Sequence, residues 1–226
     1  MQISGRKIQI YPAEGAVVAV WVCTFGQEGE ELAAAYQAQN YPPIALITVQ
    51  TNDWDDVLSP WAAPALGKGQ QPFGGHADDF LPKLTGEIVP KVSAEANIAD
   101  LPQIVAGYSL AGLFSLYALT KTDCFCAAAS VSGSLWYPEF SDYFTACSLP
   151  RRPDAVYLSY GDREPMTKHP LLRKVGTETE RCFRHLQALS VPSILEVNEG
   201  NHFKDSALRT VKGIAWLAAQ KNTADR

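Results

Sequence analysis

Apolar and polar positions along the chain follow two periodic patterns, one typical of β-strands and the other typical of α-helices. Residues 8–10 alternate apolar and polar side chains, and residues 16–22 form an unbroken, valine-rich run that fits a strand covered on both faces. Residues 28–39 carry apolar side chains at helical spacing, and residues 44–49 return to the composition of a buried strand. The first part of the chain therefore predicts a strand–helix–strand unit.

The same alternation continues to the end of the chain. Further strands are predicted at residues 103–107, 127–131, 155–160 and 193–197, and further helices at residues 81–92, after residue 109, at 178–189 and at 207–218. We expect the helix over 81–92 to be interrupted at Pro90, because proline removes a helical hydrogen bond and clashes with the preceding turn. Helical spacing also places Leu189 and Leu208 on buried faces.

Strands that alternate with helices predict an α/β fold with a mostly parallel sheet and helices on both faces. No repeat or low-complexity linker divides the series, so residues 1–226 are expected to form a single domain. Such sheets place their sites beyond the carboxyl ends of the strands. Residues 51–79 interrupt the pattern, since they are rich in proline and glycine and contain Trp54 and Trp61. We expect this long loop to cover the site.

Composition and charge narrow the class of protein. Hydrophobic residues make up 46% and charged residues 19% of the 226 residues, which is ordinary for a globular chain. The net charge is −5 and no basic run is longer than a pair, so we expect no nucleic-acid partner. The longest apolar run, residues 16–23, is too short to cross a membrane, and the first residues lack the layout of a signal peptide. We therefore expect a cytoplasmic protein with no membrane partner.

The residues that most often bind metals are arranged unfavourably for doing so. The five cysteines include one C-x-C pair, Cys124 and Cys126, but no second half-site, so we expect buried free thiols. His76 lies near Asp78 and Asp79 in the long loop, where carboxylates are usually solvated. We expect neither a metal nor an organic cofactor, and the sequence defines no oligomeric state.

A serine stands where a predicted strand meets a predicted helix, in the sequence Gly107-Tyr108-Ser109-Leu110-Ala111. This is the context of the G-x-S-x-G nucleophile elbow, with alanine in place of the second glycine. Small side chains two residues either side of the serine let strand and helix approach closely, while the strained turn lifts the hydroxyl clear of the sheet. The alternative is a serine that only caps the helix, but the flanking elements favour a nucleophile.

A serine hydroxyl needs a base within hydrogen-bond reach, and that base is normally histidine. Of the four histidines, His202 follows the last predicted strand and precedes the last helix, so a loop can carry it to Ser109. The strand over 155–160 ends in the sequence GDRE, in which either Asp162 or Glu164 can orient the histidine. The order serine, acid, histidine along the chain is that of the α/β hydrolases.

The elbow, the sequence GDREP and the sequence GNHF around His202 together resemble the putative-esterase branch of the α/β-hydrolase family. That branch includes esterase D-like enzymes, enterochelin esterases, feruloyl esterases and mycolyltransferases, and the resemblance spans almost the whole chain. It implies the α/β-hydrolase fold and an acid three residues after a strand-ending glycine, which favours Glu164. It also implies that Trp54, Trp61 and the segment 133–137, which contains Trp136, line the acyl or alcohol pocket, and we expect Tyr108 to join them. The alternative is that these aromatic side chains only pack onto the core.

The reaction that these residues imply is two-step acyl transfer, in which Ser109 attacks an ester carbonyl and histidine moves the proton. The oxyanion is expected to bind the amide of Leu110 and a second amide near Thr24 or Phe25, although the sequence VCTFG lacks the His-Gly pair of many hydrolases. Small acyl, aromatic or siderophore esters are the expected substrates. Acyl transfer, thioester hydrolysis and noncatalytic binding on the same fold are the alternatives.

Overall fold

The computed structural model describes residues 1–222; residues 223–226, which the predicted domain includes, lie outside the described residues. Eight strands form one sheet. The strands are β1 (Gln2–Ile3), β2 (Arg6–Tyr11), β3 (Ala19–Thr24), β4 (Ala45–Gln50), β5 (Gln103–Tyr108), β6 (Ala127–Val131), β7 (Ala155–Gly161) and β8 (Ser193–Asn198). The helices are α1 (Glu28–Gln37), α2 (Trp54–Val57), α3 (Ala77–Lys83), α4 (Val89–Glu95), α5 (Leu110–Lys121), α6 (Phe140–Ala146), α7 (Val175–Ala188) and α8 (Ser206–Asn222).

The strand order brings the chain segments that follow six strands to one edge of the sheet. The order is β1-β2-β4-β3-β5-β6-β7-β8, with β1 and β2 antiparallel and the other strands parallel to one another. Val20 of β3 lies opposite Leu46 of β4 and Ile104 of β5, so apolar side chains continue across the sheet. The residues that follow β3, β4, β5, β6, β7 and β8 lie at the carboxyl edge. The predicted α/β fold is confirmed.

Helices cover both faces of the sheet. On one face, α5 is buried at every residue from Leu110 to Thr120, so it packs on all sides. On the other face, Val211 and Ile214 of α8 are fully buried in a cluster with Val20 and other strand side chains. Burying an aliphatic side chain of this size contributes roughly 1.5–3 kcal/mol. Helix α5, which starts directly after Ser109, is therefore held by the core and gives the serine a rigid support.

Three local predictions are wrong. The helical region is not interrupted at Pro90, because α3 passes through a π-helical turn at Leu84–Ile88 into α4. Pro90 is the second residue of α4, directly after the π-helical turn, so its missing N–H falls where the helical hydrogen-bond spacing changes. Leu189 and Leu208 are 43% and 50% exposed. Both lie at helix ends. Helical spacing predicts the face on which such a residue lies, but it does not predict whether another element covers that face.

The stretch over 51–79 contains structure of its own. It holds the short helix α2 and an isolated β-bridge between Ala63 and Phe73. The indole N–H of Trp61 donates to the Pro138 carbonyl at 3.1 Å, which ties the stretch to the segment after β6. Aromatic side chains therefore anchor this stretch to the body of the sheet, and two of its parts border the site.

Within residues 1–222, no helix combines the length and the apolar character that crossing a membrane requires. The same residues contain no group of three or more His, Cys, Asp or Glu side chains arranged to hold a metal ion. All five cysteines carry free thiols. Burial raises the pKa of the Cys23 and Cys182 thiols to about 12, so both are protonated and unreactive at neutral pH.

Candidate active site

Ser109 lies in a strained turn between β5 and α5. Its φ and ψ are 57° and −123°, a conformation that residues with side chains rarely adopt. A Cβ at Gly107 would lie 2.4 to 2.5 Å from atoms of Ala111, so glycine is required on the strand side of the turn. The Ser109 side chain makes no cap hydrogen bond to α5, so it does not serve as a helix cap. The turn instead directs its hydroxyl toward the carboxyl edge of the sheet.

Ser109, His202 and Glu164 form a continuous hydrogen-bonded series. Nε2 of His202 lies 3.1 Å from Ser109 Oγ, and Nδ1 lies 2.8 Å from Glu164 Oε2. The Glu164 side chain is only 5% exposed, and its second oxygen, Oε1, accepts the Gly161 amide at 2.7 Å. Burial raises the pKa of this carboxyl, but the hydrogen bonds and the charge of His202 outweigh burial and hold the pKa below its ordinary value. Glu164 is thus held as a carboxylate facing the imidazole.

Asp162 and Glu164 have different contacts, although they are two residues apart. Asp162 Oδ1 accepts the backbone amide of Gly200 at 2.7 Å, which fixes the start of the loop that carries His202. The carboxylate that contacts the imidazole is Glu164. The other three histidines contact different partners: Asp79 for His76, the Leu66 carbonyl for His169 and the Phe144 ring for His185.

Two cavities share Ser109 and His202 in their lining. The first, which we call the acidic cavity, has a volume of about 420 Å³ and contains three carboxylates, Glu28, Glu31 and Asp55. Among the described residues, none of these three forms an ion pair with a Lys, Arg or His side chain. The rest of its lining includes Thr24, Phe25, Trp54, Tyr108 and Phe203.

The second cavity, which we call the apolar cavity, has a volume of about 570 Å³. Most of its exposed lining surface is apolar and comes from Leu66, Trp136, Met166, Leu172, Val175 and Phe203. Besides Ser109 and His202, its polar lining residues are Gln70, Ser134, Arg163, Glu164, Thr167 and Asn201. Met166 and Phe203 are 77% and 87% exposed, so they form an apolar rim at the mouth. The stretch over 51–79 therefore contributes to both cavities, with Trp54 in the acidic one and Leu66 in the apolar one.

The predicted oxyanion donors differ in their availability. The Leu110 amide belongs to the first turn of α5, where backbone N–H groups have no partner within the helix. The Phe25 amide already donates to Glu28 Oε2 at 2.8 Å. Phe25 can therefore serve only after Glu28 releases it. Thr24 is 4% exposed and lines the acidic cavity beside it.

Tyr108 has a contact that its predicted role in substrate binding did not include. It lines the acidic cavity, but its hydroxyl donates to the His202 carbonyl at 2.5 Å and its ring lies 5.2 Å from the imidazole. Trp54 and Trp136 each line a cavity that also contains Ser109. Trp61 lines neither cavity, because its ring packs among other aromatic side chains of the core. Two further residues, for which sequence reasoning predicted no contact with these groups, are also close to them. Ser134 Oγ lies 3.3 Å from Ser109 Oγ, and Arg209 contacts the loop before His202.

Polar side chains gathered at the carboxyl edge of a mostly parallel sheet, with a strained serine between strand and helix, define the class of α/β hydrolases. The chain belongs to the family described as "Putative esterase", whose model matches residues 15–202. It is a carboxylic-ester hydrolase, and the family, the fold class and the enzyme class predicted from the sequence are confirmed.

Individual relatives are more distant. Uncharacterized protein YbbA from Bacillus subtilis (strain 168) is 27% identical over 222 residues, which cover 95% of this chain and 86% of that protein. The IroE-like serine hydrolase from Shewanella oneidensis superposes with a TM-score of 0.76 at 17% identity, covering 95% of this chain and 76% of the other. The siderophore hydrolase EstA from Aspergillus nidulans superposes with a TM-score of 0.67 at 17% identity, covering 97% of each chain. At these identities the solved structures establish the fold alone.

Proposed function

We propose that this esterase works through an acyl-enzyme formed on Ser109, with His202 as the general base and Glu164 as the acid that orients it. The observation that carries the proposal is the unbroken series of contacts, 3.1 Å from Ser109 to His202 and 2.8 Å from His202 to Glu164. Both distances lie within hydrogen-bond reach, as general-base activation of a serine requires.

The reaction has two halves with the same proton path. In the first half, Ser109 Oγ attacks the ester carbonyl carbon while its proton passes to His202 Nε2, and Nε2 then returns that proton to the leaving alcohol oxygen. In the second half, water attacks the acyl carbon, its proton passes to Nε2, and Ser109 recovers the proton as the carboxylic acid departs. Glu164 stabilises the imidazolium that forms in each half, because it is buried and ionised beside Nδ1.

The developing oxyanion binds the amide of Leu110, which follows the nucleophile directly. A second amide from the end of β3 completes the site once Glu28 leaves the Phe25 amide, with Thr24 as the neighbouring alternative. An oxyanion donor of this kind lowers the activation free energy by about 2.7–4 kcal/mol. The substrate oxygen thus accepts the hydrogen bond from the Phe25 amide that Glu28 accepts in the free protein.

The substrate is a small ester whose two arms lie on opposite sides of Ser109. Cavities of about 420 and 570 Å³ have the size of typical small-molecule sites. Trp136, Met166 and Phe203 suit an aromatic or apolar arm in the apolar cavity. Similarity to a siderophore hydrolase, EstA, makes aromatic and siderophore esters suitable first compounds to test.

Five free thiols and the absence of disulfides among the described residues fit a reducing compartment, so we place the protein in the cytoplasm.

The core of the proposal is tested with a panel of p-nitrophenyl and aryl esters and a fluorophosphonate probe. We expect turnover of at least one ester, labelling of Ser109 identified by peptide mass, and loss of both in Ser109→Ala. Ser130→Ala is the matched control, because Ser130 is fully buried near the same turn and its hydroxyl has no hydrogen-bond partner among the described residues. Turnover that persists in Ser109→Ala would show that another nucleophile acts. Added alcohol or a thioester substrate separates hydrolysis from acyl transfer and thioester cleavage.

A further inference from the structure

We propose that Arg209 is a positioning residue of the esterase reaction, holding the loop over 199–202 so that His202 faces both Ser109 and Glu164. The inference rests on the function proposed above, in which His202 is the base. Arg209 lies in the first turn of α8, and its guanidinium touches neither Ser109 nor the His202 ring at hydrogen-bond distance. It therefore acts through the loop and not on the reacting atoms.

The guanidinium is buried and bound on several sides. The Arg209 side chain is 4% exposed. Its Nη2 donates to the Glu199 carbonyl at 2.7 Å, and its Nη1 donates to the Asn201 carbonyl at 3.2 Å. A buried cation is stable only where such partners replace its lost water, so this arginine is fixed in one geometry. The two carbonyls that it joins lie on either side of Gly200, directly before His202.

Every carbonyl from residue 199 to residue 202 accepts a hydrogen bond from outside the loop. Besides the two that bind Arg209, the Gly200 carbonyl accepts the Arg163 amide at 3.1 Å and the His202 carbonyl accepts the Tyr108 hydroxyl at 2.5 Å. Of these donors, only Arg209 holds two carbonyls at once. Removing it takes the donor from the Glu199 carbonyl and leaves the Asn201 carbonyl with only the Lys204 amide, at 3.3 Å. Removing any other side chain affects one of these carbonyls at most.

Arg209 also connects the loop to the acid. Its Nη1 lies 3.6 Å from Glu164 Oε1, while Glu164 Oε2 faces His202. The two side chains are 4% and 5% exposed, so little solvent screens the pair. The buried carboxylate thus has a cation on one oxygen and the imidazole on the other. This division leaves Oε2 free to receive the Nδ1 hydrogen bond.

The planar fork of arginine is what this position requires. A lysine has a single nitrogen and cannot reach two carbonyls and a carboxylate from fixed directions. The surroundings leave no room for a different arrangement, since a Cβ at Gly161 would lie 2.2 Å from the Gly200 carbonyl and 3.1 Å from Arg209 Nη1. The loop after β8 and the end of β7 therefore pack with the guanidinium as one unit.

The expected effect is on kcat and not on KM. A displacement of about 1 Å in a catalytic group costs about a hundredfold in rate. We expect Arg209→Met to lower kcat about 30- to 100-fold and Arg209→Lys to lower it less, about 5- to 10-fold, because lysine keeps the charge and one of the two carbonyl contacts. KM should stay within about twofold, because Arg209 lines neither cavity.

The test measures kcat and KM for p-nitrophenyl acetate in the wild type, Arg209→Lys, Arg209→Met and Lys212→Met. Lys212 lies one turn further along α8, is exposed and pairs with Glu196, so its variant controls for the loss of a cation from this helix. Each rate is divided by the number of sites that a fluorophosphonate titrates, which removes unfolded protein from the comparison. Thermal midpoints are recorded for all four proteins.

The inference is supported if kcat per titrated site is lower in Arg209→Lys than in the wild type and lower still in Arg209→Met. KM must stay constant in both variants, and Lys212→Met must have the kcat and KM of the wild type. It is overturned if Arg209→Met keeps the wild-type kcat per titrated site, or if KM rises while kcat stays constant. If Arg209→Met gives no soluble protein, Arg209→Lys decides by the same criteria. An inactive, unlabelled wild type would refute the proposed function itself, so the two failures are distinguishable.

Discussion

The assignment of the acid can be tested by replacing each of two neighbouring carboxylates with its amide. Glu164→Gln removes a negative charge beside the imidazole, whereas Asp162→Asn keeps a carbonyl oxygen that still accepts the Gly200 amide. The contact of 2.8 Å between Glu164 Oε2 and His202 Nδ1 puts the two charge centres about 4 Å apart. At an effective dielectric constant of about 20, that attraction is worth about 4 kcal/mol. We therefore expect Glu164→Gln to lower kcat about a thousandfold.

The assay is steady-state hydrolysis of p-nitrophenyl acetate, with rates divided by titrated sites. Asp162→Asn should stay within about threefold of the wild type, because its hydrogen bond to the His202 loop survives. Equal losses in the two variants, or a larger loss at Asp162, would refute the reasoning. A loss below about tenfold at Glu164 would mean that Ser109 and His202 act without a charged partner.

Three further outcomes follow from the same geometry. Ser134→Ala removes the hydroxyl 3.3 Å from Ser109 Oγ, so it should lower kcat about 3- to 10-fold in the same assay, whereas Ser130→Ala should not. An ester with a carboxylate on the arm that enters the acidic cavity should react at least about tenfold more slowly than its neutral isostere, because the carboxylates of the cavity repel it. The difference in rate should become smaller in Glu31→Gln and at high salt. An equal rate for both esters would place that arm elsewhere. Because the pKa of Glu164 is lowered in the fold, its ionised form stabilises the protein above the ordinary carboxyl value of 4.5, and this contribution is lost as the pH falls through the lowered value. Thermal midpoints measured from pH 7 down to pH 3 should therefore fall less steeply in Glu164→Gln than in the wild type.

The order of elements could be predicted because the strands of a parallel sheet are buried on both faces. The predicted strand over 127–131 has the same bounds as β6, and the strand predicted over 193–197 differs from β8 by one residue. The run over 16–22 begins three residues before β3, because apolar character alone does not tell where strand pairing starts. The prediction of an interruption at Pro90 is wrong for a related reason. The effect of a proline on a helix depends on the hydrogen-bond spacing around it, and this spacing changes at the π-helical turn before Pro90.

Ser109 and His202 could be predicted because each has a local signature. Gly107 and Ala111 mark the elbow, and His202 follows the last strand within a short turn. Ser134 and Arg209 have no such signature. Ser134 contacts a serine 25 positions away, and Arg209 contacts an acid 45 positions away and a loop whose path is set by packing. An arginine near the start of a helix is usually solvated, so nothing in the sequence marks this one as buried.

The choice between Asp162 and Glu164 shows where a sequence argument reaches its limit. Both carboxylates follow β7 within three residues, and both are needed by the loop after β8. Asp162 follows the strand directly, and its short side chain reaches the Gly200 amide of the adjacent loop. Residue 164 begins a 3₁₀ turn that leads the backbone away from the sheet, so only a longer side chain can return to the Gly161 amide and the imidazole. The backbone at residue 162 therefore requires the shorter aspartate side chain, and the backbone at residue 164 requires the longer glutamate side chain. Glu164→Asp should lose much of the activity, although it keeps the charge, because the shorter side chain does not reach the imidazole.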